Sequence, residues 1–349
     1  MDKNNFAARH LLQRSPLSYM LYPASLIYAG YMLFRRKFLF PSPYRAPFKV
    51  ISVGNLTSGG SGKTPITIAL AKALQDRGFR VVVASRGYRA GWEQRGGMIS
   101  DGSHLLTDVC NAGDEALMVA SSLPGIPVFV GRIRREVLRQ VAKLKPDLVI
   151  LDDAMQHLKV ARDLDIVVFD TKIGLGNGWV IPAGYLREPV SALPEKSIIL
   201  LHSKNGHPAP ESLTYSLSSM GLPIYNAQSR ADTLLMDGRS VDPQSMSDKS
   251  LSLVSAIAHP DSFEASIAAL RLPYRTHYKF PDHFAFREGS AALNILLHDA
   301  MANPDELYVC TEKDYAKLQQ VPSLNKRLIV LRLETTLDPA FVEKVMTAL

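Results

Sequence analysis

Two apolar patterns alternate along most of this chain. Unbroken apolar runs at Phe48–Val53, Arg80–Ala84, Pro127–Val130, Asp147–Leu151, Asp165–Phe169 and Ser197–Leu201 predict strands buried on both faces. Segments with helical spacing, Ile66–Arg77, Asp114–Ser121 and Ile133–Lys143, lie among them. Strands separated by helices predict an α/β fold with a doubly wound parallel sheet. From about 203 to 249 the texture turns to Ser, Pro, Gly, Asn and Asp, which marks a domain junction. A second α/β run follows, with strands at Leu251–Ile257, Leu307–Cys310 and Leu328–Leu333 and a helix at Asp261–Leu270. The expected organisation is an N-terminal segment, 1–45, a main domain, 46–222, and a smaller C-terminal α/β domain, 223–349, closing over a cleft. There is no internal repeat.

The first strand runs into VGNLTSGGSGKTP, Val53 to Pro65, and a helix follows. A glycine-rich turn between strand and helix lets backbone N–H groups approach phosphate oxygens at the positive end of the helix dipole. This makes the main domain a phosphate-loop, nucleotide-binding one. The candidate cradle is Gly59, Gly60, Ser61, Gly62, Lys63, Thr64 and Pro65, with Lys63 reaching the β/γ-phosphates and the Thr64 hydroxyl reaching Mg²⁺. Thr57 stands where the strict motif has glycine, so the loop is a variant. LVILDD, Leu148 to Asp153, reads as a buried strand ending in paired carboxylates, with Asp152 and Asp153 as metal candidates.

The formal net charge is +7, and it is localised. Residues 1–50 carry eight Lys/Arg against Asp2, and the rest of the chain is balanced. Such a distribution is not the footprint of a nucleic-acid-binding domain. The basic residues flank an uncharged, Tyr-rich stretch, Ser15 to Phe34, interrupted by Pro23 and Gly30. Tyr favours the membrane interface, and Lys/Arg favour anionic lipid. A segment lying in the cytoplasmic leaflet is expected, with a transmembrane anchor or a buried helical hairpin as alternatives. Cys110 and Cys310 have no metal-ligand spacing and form no disulfide framework, which fits a reducing compartment and simple core packing.

Other candidates are weaker taken singly. Asp114, in Gly113-Asp114-Glu115, opens a helix; its residues alone favour a cap, with a carboxylate that takes a hydroxyl proton as the alternative. Arg134 and Arg187 suit bidentate phosphate contact, with Arg132 close enough to compete for the role of Arg134. His283 lies in Phe280-Pro281-Asp282-His283 of the second domain. Thr311-Glu312-Lys313-Asp314 superficially resembles a guanine-reading motif, but its order is wrong and GTP is not inferred.

Together VGNLTSGGSGKTP, SRGY (Ser85–Tyr88), GDE, LDDAMQH (Leu151–His157), GNG (Gly176–Gly178), PAGYLREP (Pro182–Pro189), FPDH and TEKD resemble the tetraacyldisaccharide 4′-kinase family of lipid A biosynthesis. They occur in the family's order over most of the chain. The resemblance implies ATP-dependent phosphoryl transfer to the 4′-hydroxyl of tetraacyldisaccharide 1-phosphate by a monomer peripheral to the inner membrane. It implies that Asp114 is the general base, paired with His283 across the cleft. Lys63, Arg134 and Arg187 would stabilise or hold phosphate, and Thr64, Asp152 and Asp153 would hold Mg²⁺. Ala154 and Phe284 depart from the family pattern, which has Gly and often a second His there. Two other readings use a variant phosphate loop: a dethiobiotin-synthetase-like ligase, whose substrates are soluble, and a membrane-associated switch NTPase.

Overall fold

The unbroken apolar runs become the central strands of one continuous sheet. The structure is a computed structural model. It describes residues 10–349 apart from 59, 60, 89, 205, 207, 258, 259, 283, 287 and 288. In the first half the strands are β1 (Lys49–Gly54), β2 (Val81–Ser85), β3 (Gly97–Ser100), β4 (Val128–Val130), β5 (Leu148–Asp152), β6 (Leu164–Asp170) and β7 (Ser197–Lys204). Helices α2 (Lys63–Gln75), α3 (Asp114–Ser122) and α4 (Arg134–Val141) follow β1, β3 and β4, and α5 (Glu211–Ser218) follows β7. The spatial order is β3-β4-β2-β5-β1-β6-β7, parallel except for the edge strand β3. Ile66, Leu70, Ala71 and Leu74 bury one face of α2 against this sheet.

The junction predicted as polar and irregular contains the longest strand, β8 (Ile224–Met236), followed by β9 (Arg239–Val241). Its residues include Asn226, Gln228, Ser229, Arg230 and Asp232, so periodicity does not reveal it. The first part of β8 pairs in parallel with β7, up to Ser229 opposite Lys204. The strand then runs on to Met236, roughly 23 Å further at about 3.3 Å per residue. On its other side it pairs antiparallel with β13 (Leu328–Leu337), from Ala227 through to Met236. Beyond β13 lie β12 (Leu307–Thr311), β10 (Leu251–Ser255) and β11 (His277–Lys279), parallel to one another. Helices α6 (Pro260–Ala269), α7 (Ala291–Ala302), α8 (Glu312–Leu318) and α9 (Pro339–Ala348) complete this half.

The antiparallel joint has a geometric consequence. The second parallel set runs opposite to the first, so the C-terminal ends of β10, β11 and β12 point back toward the C-terminal ends of β1 and β5. Open α/β sheets bind ligands at that edge. Here two such edges face one cleft, and α8, which follows β12, packs against α3.

The N-terminal apolar stretch is one helix, α1 (Pro16–Phe38), and not a hairpin. Ser15 and Ser18 form a reciprocal capping box, and Pro16 sits at the first turn, where its missing N–H costs nothing. Its buried stripe is narrow: Ser18, Ser25 and Met32, seven residues apart. Ser25 Oγ donates to the Val180 carbonyl at 2.7 Å and accepts from Ala183 N–H at 2.9 Å. Trp179 packs against Tyr22 and Tyr19 with ring centroids 4.4 and 5.1 Å away. Arg36 reaches the buried Glu188 carboxylate through Nε and Nη2, at 3.2 and 2.6 Å. The opposite face leaves Met20, Ile27, Tyr31, Phe34 and Phe38 exposed, Ile27 by 77%. Among the described residues no helix is long and apolar enough to cross a membrane.

Cys310 is buried as expected, whereas Cys110 is exposed, because it lies on a short helix, Val109–Ala112, at the surface.

Removing the Ser25 hydroxyl leaves the Ala183 N–H and the Val180 carbonyl without their partner. In Ser25→Ala the Ala183 amide is expected to exchange about tenfold faster or more, a cost of about 1.4 kcal/mol or above. Hydrogen-exchange mass spectrometry of the 180–187 peptide checks this, and unchanged protection there would mean α1 is held by other contacts.

Candidate active site

The site begins where β1 ends. Its neighbour β5 is in register so that Val53 lies opposite Asp152, which sets the carboxylate beside the glycine loop. Thr64, in the first turn of α2, donates from Oγ1 to Asp152 Oδ2 at 3.1 Å, and Thr67 Oγ1 donates to Oδ1 at 3.3 Å. Asp152 is buried, and desolvation pushes its carboxyl up to about 6, against the opposing pull of Lys63. The negative charges of Asp153 and Glu115 also raise it. Asp153 follows in a left-handed conformation, φ 50°, which turns its side chain out of the strand. There it meets Lys63 Nζ at 3.6 Å and Arg187 Nη1 at 3.7 Å.

Asn55, which the sequence reading did not single out, organises the loop. Its Nδ2 donates to the carbonyl and hydroxyl of Thr57 at 2.9 and 3.1 Å, and its Oδ1 accepts from Lys63 Nζ at 3.2 Å. Its own carbonyl accepts from Gln156 Nε2 at 3.1 Å. Thr57 is thus a buried partner of Asn55 where the strict motif has glycine. The PAGYLREP segment lines the loop from the other side. Ser58 N–H donates to the Tyr185 carbonyl at 2.8 Å, and Arg187 N–H donates to the Leu56 carbonyl at 2.6 Å. Gly62 caps α2 with φ 81°, and a Cβ there would lie 2.2 Å from the His202 ring. Gly59, Gly60 and His283 lie outside the described residues.

Arg134 is wholly buried, which burial alone makes costly and which lowers its guanidinium to about 10, still charged at neutral pH. Its Nη2 donates to the Asp152 carbonyl at 2.8 Å and its Nη1 to the Gly131 carbonyl at 3.1 Å. It therefore braces the backbone behind the carboxylate pair, while Arg132 is exposed on the cleft wall. That cleft is about 1000 Å³ and strongly basic, lined by Arg35, Arg86, Arg132, Arg135, Arg139, Lys159 and Arg187. Arg35, from α1, also donates to the Gln156 carbonyl at 3.0 Å.

Away from that basic cleft, where α8 packs on α3, Lys317 Nζ lies 3.3 Å from Asp114 Oδ2. Lys313 Nζ, one turn earlier, lies 3.1 Å from Asp282 and 3.9 Å from Glu115. TEKD itself starts α8: the Thr311 side chain caps Asp314 N–H, and buried Asp314 accepts from Ala256 N–H at 3.0 Å. Lys313 and Lys317 share a helix face at i, i+4, the one sequence signal that both point the same way. Phe284, at the family's second His position, packs on Phe280 and Phe286.

The family model of tetraacyldisaccharide-1-P 4′-kinase matches residues 17–349. The tetraacyldisaccharide 4′-kinase of Pelobacter propionicus is 34% identical, the match covering 95% of this chain and 92% of that protein. That of Syntrophus aciditrophicus is 34% identical over 93% and 91%. The chain belongs to the tetraacyldisaccharide 4′-kinase family. Among solved structures, LpxK from Aquifex aeolicus in complex with ATP superposes with a TM-score of 0.76 at 26% identity, covering 95% of this chain and 99% of that one. The chain is therefore a kinase, and its sheet is of the phosphate-loop type.

Burial, and then the guanidinium groups around it, pushes His157 down to about 4. Unfolded, it takes its proton near pH 6.5. The unfolded state thus binds more protons between about pH 6.5 and 4, and stability falls with pH through that window and levels off below it. His157→Gln is expected to flatten this part of the acid-denaturation curve, measured as denaturant midpoints at pH 7, 5 and 4. An unchanged slope would show that His157 is protonated in the folded protein.

Proposed function

We propose that this kinase moves the γ-phosphoryl group of ATP to the 4′-hydroxyl of tetraacyldisaccharide 1-phosphate while that lipid remains in the membrane. One observation carries the reading: residues far apart in the chain, Lys63, Asp152, Asp153, Arg187, Asp114 and Lys317, converge where the two sheet edges face each other. A soluble carboxylate substrate would not need the exposed apolar face of α1, and a switch NTPase would not need the basic cleft beside the phosphate loop.

The residues present fit a magnesium ion. Thr64 and Asp152 offer hard oxygen donors, and the high carboxyl affinity for protons at Asp152 reflects a buried anion that a cation would satisfy. Among the described residues no group of three or more His, Cys, Asp or Glu converges as a metal cage, which suits an ion that takes part of its ligands from phosphate. The bound ion would neutralise charge on the β- and γ-phosphates. Asp153, shared by Lys63 and Arg187, would serve as a further ligand or would hold those cations in place.

Lys63 and the loop N–H groups hold the β/γ-phosphates. Asp114, steadied by Lys317, accepts the proton of the acceptor hydroxyl as its oxygen attacks the γ-phosphorus and the bond to ADP breaks. Lys313 meets both Asp282 and Glu115, and His283 would pair with Asp114, as the resemblance to the family implies. The second half of the chain, from about 223 onward, would close the site only with both substrates present and so limit ATP hydrolysis.

The exposed face of α1, with Arg35, Arg36 and Lys37 in its last turn, suits a helix lying in an anionic membrane interface. In a lipid A pathway this would be the cytoplasmic face of the inner membrane. Arg35 belongs both to α1 and to the basic cleft. Acyl chains can then stay in the lipid while the phosphate-bearing sugar enters the cleft.

Labelled ATP and tetraacyldisaccharide 1-phosphate in mixed micelles test the activity. Labelled lipid is expected with the native chain and not with Lys63→Ala. Asp114→Ala is expected to lose about 10²-fold or more in transfer with ATP affinity within about threefold. Native-like turnover would remove Asp114 from the base role, and ATP hydrolysis without labelled lipid would overturn the lipid-kinase reading. Ile27→Ser combined with Phe34→Ser removes two apolar anchors from the exposed face and is expected to weaken vesicle cosedimentation at least about tenfold. Unchanged binding would move the membrane surface elsewhere.

A further inference from the structure

His202, third from the end of β7, is wholly buried, and nothing in the phosphoryl-transfer scheme uses it. Its Nδ1 is 2.9 Å from the Ser61 carbonyl oxygen, and its Nε2 is 2.6 Å from Ser229 Oγ. Ser229 Oγ is in turn 2.7 Å from Thr335 Oγ1. The carbonyl can only accept, so Nδ1 carries the proton. In the neutral ring Nε2 then accepts from Ser229, and Ser229, having given its one proton, accepts from Thr335. The relay therefore runs Thr335 → Ser229 → His202 → Ser61. Burial favours the neutral ring, with Lys204 and Asp170 as the charged groups nearest to it in effect.

The two ends of this relay lie in parts of the fold with different tasks. At one end the ring forms the floor of the glycine loop, and the missing Cβ of Gly62 makes room for it. A trans peptide holds its C=O and N–H in opposite directions. Fixing the Ser61 carbonyl downward onto His202 thus turns the Gly62 N–H upward, to the side where a phosphate sits. At the other end Ser229 and Thr335 are direct cross-strand partners in the β8–β13 ribbon, the joint between the two halves of the sheet. A change of twist in that ribbon moves Ser229 and with it the seat of the imidazole.

We propose that His202 is a positioning residue that turns the Ser61–Gly62 peptide toward the nucleotide phosphate, and that Ser229 and Thr335 tie this orientation to the ribbon joining the two halves. The inference rests on the reading of Gly59 to Thr64 as the phosphate cradle. It adds a route by which movement of the second half reaches nucleotide affinity without any contact to the nucleotide.

The test is ATP binding by calorimetry on the full chain in detergent, with melting temperature measured in parallel. His202→Leu is expected to weaken ATP about tenfold, the loss of one buried hydrogen bond and the orientation it fixes. His202→Asn keeps a donor near the Nδ1 position and is expected to recover most of that loss. Thr335→Val, at a half-buried position away from the loop, is expected to weaken ATP about threefold in the native background and to have no effect in His202→Leu. Independent, additive effects would overturn the tie to the ribbon. Lower melting temperatures with ATP affinity within about twofold of native would reduce His202 to a packing role and overturn the proposal. Should His202→Leu fail to fold, His202→Asn combined with Thr335→Val gives the same cycle. Lys63→Ala is the separate control: native-like ATP binding in that variant would mean that the cradle reading itself fails, whatever the His202 variants do.

Discussion

The structure depends on the antiparallel joint between β8 and β13. Each half of the chain is a parallel set, and a parallel set presents its ligand-binding loops at one edge only. Had β13 joined in parallel, the two edges would have pointed the same way, side by side. The reversal at the joint makes them face each other, and chemistry drawn from both halves becomes available to one cleft. Lys317 against Asp114, and Lys313 against both Glu115 and Asp282, are the side-chain expression of that reversal.

Within the first half the phosphate loop is held by more than its own glycines. Asn55 satisfies Thr57 and Lys63, Gln156 holds Asn55, and the backbone of PAGYLREP pairs with Leu56 and Ser58. Arg134 braces the carbonyl behind Asp152 from the buried side. A carboxylate this buried is costly to keep ionised, and the surrounding cations and hydroxyls offset the cost only in part, as its raised proton affinity shows. Such a site is ready for a cation and for phosphate oxygens, which explains why so many polar groups are packed where an apolar core would be more stable.

Helix α1 carries the same logic to the surface. Its buried stripe is made of serines and one methionine, so it is fastened by hydrogen bonds and by Arg36–Glu188 while its large apolar side chains face outward. It grips PAGYLREP, the segment that lines the phosphate loop. The element best suited to touch lipid is therefore mechanically continuous with the catalytic loop.

The sequence by itself determined the strands of the first parallel set, β10, β12 and β13 of the second but not β11, and also the phosphate loop, the β5 carboxylate pair and the basic, apolar N-terminus. These are local patterns: a strand buried on both faces must be apolar throughout, and a tight phosphate turn must be glycine-rich. It did not disclose β8, because a strand that joins the two halves of the sheet is only half covered and its side chains are mixed. Nor did it disclose Asn55, His202 or Lys317, whose partners are distant in the chain and become neighbours only through the β1–β5 register and the β8–β13 reversal. Arg134 shows the same division: its residue type suggested a phosphate contact, and tertiary burial made it a brace for the backbone of Asp152. Short-range patterning fixes which segments become strands and loops, whereas the meeting of charges across a cleft is decided by topology, which no local pattern encodes.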